Sequence, residues 1–272
     1  MKEACCQFGE GGRLVGIVTS PSEVPPRRTA LVLLSAGLAP RCGPFGLYAD
    51  LARRLSDDGL LTLRFDLGGI GDSLEHDTGD SLEERTKRDA SAALDYLLER
   101  HDLDAVVLGG LCSGAEDSFR AAENDRRVAG VVLIDPFAYR TPGWYWRHAA
   151  YRARRRLLRA LGVYRPLDRA APPTPGATQG RLVDYEYMAR DESRRVLCAL
   201  LARGARVHFV YTGGARDTFN HARQLSAMFA DVPFRGLVTL DHFPGLDHTQ
   251  LLSEDRRSVV EAISQRLGWI VA

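Results

Sequence analysis

Short, nearly continuous apolar runs alternate along the chain with longer segments whose apolar residues recur at helical spacing. Residues 13–19 (RLVGIVT) follow the turn-rich Gly9-Glu10-Gly11-Gly12, so 5–19 predicts a β-hairpin. Residues 30–35 (ALVLLS), 60–65, 105–108 and 128–134 lack the alternation of a strand with one wet face. Between them, the periodicity predicts helices over 47–57, 83–100 and about 113–123. Towards the C-terminus the rhythm continues with a helix to 202, a strand over 207–211 and a helix over 219–229. A strand over 236–240 and a helix over 253–267 complete it. Strands this apolar are covered on both faces, which predicts an α/β fold with a mostly parallel central sheet between helices.

One stretch interrupts the rhythm. Residues 137–190 hold Trp144-Tyr145-Trp146, an Arg-rich helix over 147–161 and a Pro/Gly/Thr loop over 171–180. The expected organisation is a core of 1–136 and 191–272 carrying this segment as a helical lid. Net charge is only +1, but 137–182 carries ten Arg and one acid, Asp168, leaving 26 basic and 34 acidic residues elsewhere. An acidic partner suits such a face, as does an anionic surface, although a solvated Arg helix is the plainer reading. Near-zero overall charge without a binding motif argues against nucleic acid. Lys is almost absent, at positions 2 and 87 only, which reflects the codon bias of a GC-rich genome.

Composition narrows the class further. With 45% hydrophobic and 26% charged residues the chain has the make-up of a folded globular protein. No apolar stretch reaches the roughly 18 residues of a membrane span, and 1–12 has no apolar signal region, so a cytoplasmic location is expected. The five cysteines (Cys5, Cys6, Cys42, Cys112, Cys198) form no CxxC pair. Neither a disulfide framework nor a metal site is expected, and no cofactor.

The chemistry gathers at Gly110-Leu111-Cys112-Ser113-Gly114, between an apolar strand and a helix. Glycines two before and two after a central residue have the spacing of a nucleophile elbow, where strand and helix backbones approach closely. The helix N-terminus behind Cys112 favours a thiolate and a developing oxyanion. Ser113 is one position out of frame, and its expected part is to lend a backbone N–H. A tight turn with a buried Cys is the alternative.

A base and an acid are sought downstream. His248 lies in a loop after the last strand, and Asp217 in the loop after the strand before it. The order Cys112, Asp217, His248 matches nucleophile, acid and base. Singly, His248 also reads as an ordinary loop His and Asp217 as a helix N-cap. His242 is the rival base, Asp241 and Asp247 are rival acids, and His208 falls inside a strand as a structural residue.

These motifs resemble the α/β-hydrolase superfamily over nearly the whole chain. Asp66-Leu67-Gly68-Gly69-Ile70-Gly71-Asp72-Ser73 is similar to that family's largely structural D-x-x-G-x-G-x-S segment. More narrowly, the run Ser35 to Pro44, the Cys-centred elbow and Asp247-His248-Thr249 resemble cysteine-type hydrolases found near exosortase and natural-product gene clusters; dienelactone hydrolases also use Cys at the elbow. The resemblance implies the α/β-hydrolase fold and an oxyanion hole from Ser113 and Leu38. The insertion falls where the superfamily carries its lid, so Trp144, Tyr145 and Trp146 are candidates to line an acyl pocket or to anchor the lid.

The expected function is hydrolysis or acyl transfer on an ester or thioester by a Cys112-His248-Asp217 triad, with the acyl group carried by an acyl carrier protein or coenzyme A. Elimination of an acetate-type group with His248 as base is an alternative. A non-catalytic hydrolase-like binding protein is another.

Overall fold

The computed structural model describes residues 1–75, 79–163 and 187–270. Strands β1 (Lys2–Phe8) and β2 (Leu14–Ser20) form the expected antiparallel hairpin, and β3 (Thr29–Leu34) follows. Helix α1 (Leu47–Asp57) leads to β4 (Leu61–Phe65), and α2 (Leu82–Arg100) to β5 (Ala105–Leu111). Helix α3 (Ser113–Ala122), β6 (Val128–Ile134) and α4 (Pro142–Ala160) come next. The remaining elements are α5 (Arg190–Ala202), β7 (Arg206–Thr212), α6 (Gln224–Met228), β8 (Val238–Phe243) and α7 (Ser253–Ile270).

The eight strands form one sheet in the order β1-β2-β4-β3-β5-β6-β7-β8. Pairing is parallel from β4 through β8, while β2 meets β4 antiparallel. One face packs on α1 and α7 through Leu51, Leu55, Ile263 and Leu267. The other packs on α2, α3 and α5 through Leu94, Phe119 and Leu197. Central strands are buried on both sides for this reason, and their side chains read as unbroken apolar runs.

Two predicted elements differ. The helix expected over 219–229 shrinks to α6, because Gln224 turns its amide onto the carbonyls of Tyr139 and Thr218 and accepts from Asn220 N. The last strand runs later than 236–240, since β8 follows the parallel register of β7 to Phe243. Of the expected lid, residues 137–163 and 187–190 are described. Its Pro/Gly/Thr loop and Asp168 fall in 164–186, outside the described residues.

Asp66, expected to be structural, is buried. It accepts from the backbone of Arg41 and Asp72 and pairs with the Arg41 guanidinium. A Cβ on Gly71 would lie 2.4 Å from its carboxylate, so only glycine fits there. His208 is fully buried in β7, Nδ1 against Thr239 Oγ1 at 2.9 Å, and burial pushes its pKa down to about 4. Among the described residues no helix is long and apolar enough to cross a membrane.

Candidate active site

Cys112 sits between β5 and α3 with φ 54° and ψ −120°, a strained backbone for a residue with a side chain. The flanking glycines make that turn possible. A Cβ on Gly110 would lie 2.5 Å from the backbone of Gly114, and one on Gly114 would lie 2.6 Å from Leu34 O. The strand end is also clamped from below. The buried Tyr48 hydroxyl donates to Leu34 O at 3.0 Å and accepts from Leu111 N at 2.7 Å. Burial holds that phenol well above its usual range.

His248 reaches the turn from the loop after β8. Asp247 shapes this loop by accepting from the backbone of Thr249, Gln250 and Leu251 and from the Thr249 hydroxyl. The fit against the preceding loop is close: a Cβ on Gly214 would lie 2.3 Å from His248 Cβ. His248 hydrogen-bonds the Cys112 side chain on one side, and its Nδ1 lies 2.8 Å from Asp135 Oδ2 on the other. The Asp135 bond first and the Cys112 bond second push its pKa up to about 10, against the opposing effect of burial.

The acid in contact with the imidazole is therefore Asp135, at the end of β6, and not the expected Asp217. Asp135 is 6% exposed, has φ 45°, and also accepts from Thr212 N and Thr212 Oγ1, both at 2.6 Å. The sheet order explains the correction. Strand β6 lies beside β5, with Ile134 in register with Leu111, so the residue after Ile134 emerges next to the elbow. Strand β7 is one place further out. Asp217 closes an exposed 3-10 turn, Gly213–Asp217, and its carboxylate has no ion pair or hydrogen bond among the described residues. The sequence signal for Asp135, an acid followed by Pro136 at a strand's C-terminal end, was visible but equally fits a strand terminator.

The rival residues are occupied elsewhere. His242 lies on β8 with its ring edge-on to Phe219 at 5.3 Å, and burial lowers its pKa. Asp241 faces His208 and Arg266. Asp247 is spent on its own loop.

A cleft of about 430 Å³ opens over Cys112, between Leu38, Ile70, Leu82, Thr86, Tyr187 and His248. Its walls are largely apolar with a few convergent polar groups, as in a small-molecule site. Ser113 follows Cys112 at the start of α3, and its Oγ accepts from Gly37 N at 2.7 Å. That bond orders the loop after β3, where Leu38 lines the cleft and its N–H has no hydrogen bond among the described residues. Ser113 and Leu38 thus stand on the two sides of the site where an oxyanion hole is expected.

The three aromatic candidates do not line this cleft. Trp144 is 4% exposed, donates Nε1–H to Arg216 O at 3.2 Å and stacks on His148, so it anchors α4 to the core. Tyr145 and Trp146 are exposed. The aromatic at Cys112 is instead Tyr187, whose hydroxyl hydrogen-bonds Cys112 and whose pKa is raised first by the Cys112 charge and then by burial. The adjacent Met188 N donates to the buried Glu116 carboxylate at 2.9 Å. Burial pushes that carboxyl up to about 7. Nothing in the sequence around Tyr187 distinguished it from other tyrosines. Among the described residues no cluster of His, Cys, Asp or Glu could hold a metal ion.

Known proteins share this architecture. A carboxyl esterase from Bacillus coagulans, solved with glycerol, superposes with a TM-score of 0.63 at 13% identity, covering 100% of both chains. The lidless serine hydrolase XC6422 from Xanthomonas campestris gives a TM-score of 0.62 at 14% identity, covering 100% of this chain and 97% of that one. DcsB, solved in complex with its substrate analogue, gives 0.58 at 17% identity over 100% and 99% of the two chains. No curated protein matches the chain in sequence. The family model for serine aminopeptidase, S33, matches residues 26–255, a span that takes in the elbow, Asp135 and His248 together. On that match the chain belongs to the S33 serine aminopeptidase family, with the α/β-hydrolase fold and a cysteine at the turn.

Proposed function

We propose that this protein cleaves or transfers acyl groups from esters or thioesters through Cys112, His248 and Asp135. The observation that carries the reading is the continuous chain of contacts from the strained Cys112 through His248 to the buried Asp135. Asp135 occupies Nδ1, which leaves Nε2 for the sulfur and fixes the tautomer. The nucleophilic form of a cysteine is the thiolate, and His248, whose pKa is pushed up to about 10, is placed to hold the proton beside it. Sγ bonds to the acyl carbon, and the oxyanion is met by the N–H groups of Ser113 and Leu38. Collapse breaks the bond to the alcohol or thiol, which leaves with the proton from His248. His248 then takes a proton from water, or from an amine or alcohol, as that nucleophile attacks the acyl-cysteine.

Cysteine in a serine-named family favours a substrate whose acyl group passes as a thioester, such as one delivered on coenzyme A or an acyl carrier protein. This fits the resemblance to cysteine-type hydrolases of natural-product clusters. Intact mass spectrometry after exposure to short acyl thioesters and a thiol-directed probe tests the reading. An acyl adduct on wild type and none on Cys112→Ala is expected. Equal turnover by Cys112→Ala would overturn it.

A further inference from the structure

We propose that a second cavity, between α4 and the loop after β7, binds a phosphate group held by Arg147 and Arg216. The cavity has a volume of about 240 Å³, and among the described residues no carboxylate lines it. Its walls include Arg147, His148, Arg216, Asn220 and His242. Four of these five side chains are basic.

Among the described residues, no carboxylate neutralises either arginine. Arg147 donates one N–H to Gly143 O at 3.2 Å, and Arg216 donates one to Pro244 O at 2.9 Å. Neither has a carboxylate partner among the described residues. Both guanidinium groups keep further N–H donors in the planar fork that suits a phosphate. The two arginines come from different elements, α4 and the turn after β7, so they approach one ligand from two sides.

The remaining polar groups are also left over. His148 and His242 are held by aromatic rings, Trp144 and Phe219, and their ring nitrogens make no hydrogen bond among the described residues. Asn220 fixes its amide nitrogen on Trp144 O at 3.1 Å, leaving an enclosed Oδ1 without a partner. Behind Gly143, both ring nitrogens of His221 are enclosed and unpartnered as well. Such groups are ordinarily satisfied in a protein interior. The open N–H groups of the two arginines, with imidazole nitrogens and the Asn220 oxygen beside them, suit a phosphate bearing a P–OH better than a carboxylate, which only accepts.

The cavity adjoins the acid–base pair. Thr212 lines it, and the Thr212 hydroxyl donates to the Asp135 carboxylate. A phosphate there is either a group on the acyl substrate or a free ion. Calorimetry with inorganic phosphate and pyrophosphate at low salt reads the site directly, without turnover. Wild type and Cys112→Ala are expected to bind one equivalent alike. Arg147→Gln and Arg216→Gln, checked for wild-type circular dichroism, are each expected to weaken binding about 10-fold or more. No saturable binding in the millimolar range, or affinity equal to wild type in both Arg variants, would overturn the proposal. Inhibition then separates the sources. Phosphate competing with a phosphate-bearing thioester, but not with a neutral ester, identifies a substrate group; an altered kcat on the neutral ester identifies a free effector.

Discussion

Asp135→Asn retains the size of the side chain while removing its charge, and so allows His248 the wrong tautomer. Turnover of an activated ester is expected to fall by about 10²–10⁴-fold. Asp217→Asn, in an exposed turn with no contact to His248, is expected to stay within about 2-fold of wild type, since it removes no acid–base group. Steady-state kinetics of the two variants side by side decides between the acids, and the reverse ranking would restore Asp217. Both aspartates lie beyond the C-terminal end of a strand, and their local sequences do not separate them. Two facts make the difference: β6 is the neighbour of β5, and Thr212 closes on Asp135 from β7. Both are relations between distant parts of the chain. The elbow, by contrast, was legible, because both glycines keep a fixed spacing about Cys112 and Gly110 answers a backbone contact with Gly114, four residues on.

At the scale of elements, the site depends on a joint between α1, β3 and β5. Tyr48, on α1, bridges the ends of both strands with one hydroxyl. Tyr48→Phe leaves Leu111 N–H and Leu34 O without that partner inside the core, at a cost of about 1–3 kcal/mol. Urea denaturation is expected to register this loss, together with slower alkylation of Cys112 as the turn loosens. Unchanged stability and alkylation would separate the tyrosine from the site. The strands and larger helices were readable because burial on two faces writes continuous apolar runs. The shortened α6 was not, since its apolar spacing competes with the bonds Gln224 makes to main-chain groups outside it. The aromatic run of α4 was likewise ambiguous: Trp144 packs inward while Trp146, two residues on, stands 79% exposed.

For the whole molecule, pH acts through the His248–Asp135 contact across the C-terminal ends of the sheet. The folded pKa of His248, about 10, lies above the ordinary 6.5, so the folded protein holds this proton more tightly than the unfolded chain. The resulting stability is fully present below about pH 6.5 and is lost as pH rises through about 10. His248→Gln removes it. The gap in denaturation midpoint between wild type and this variant is expected to be widest near pH 6 and to narrow steadily towards pH 10. A gap independent of pH would mean that the imidazole gains no proton affinity on folding.

Housing the acid on β6 has a further consequence for the descent of such proteins. Asp135 is wedged between central strands and held by Thr212 on one side and His248 on the other, so it has little freedom to change. The turn at 213–217 is relieved of that duty, and beyond its two tight glycines and the core-packed Ala215 its side chains, Arg216 and Asp217, face the basic cavity and solvent. Mutation there can explore new ligands without disturbing the reaction. One end of the sheet is thus expected to drift at two rates, slow at the Asp135–His248 contact and fast one strand away.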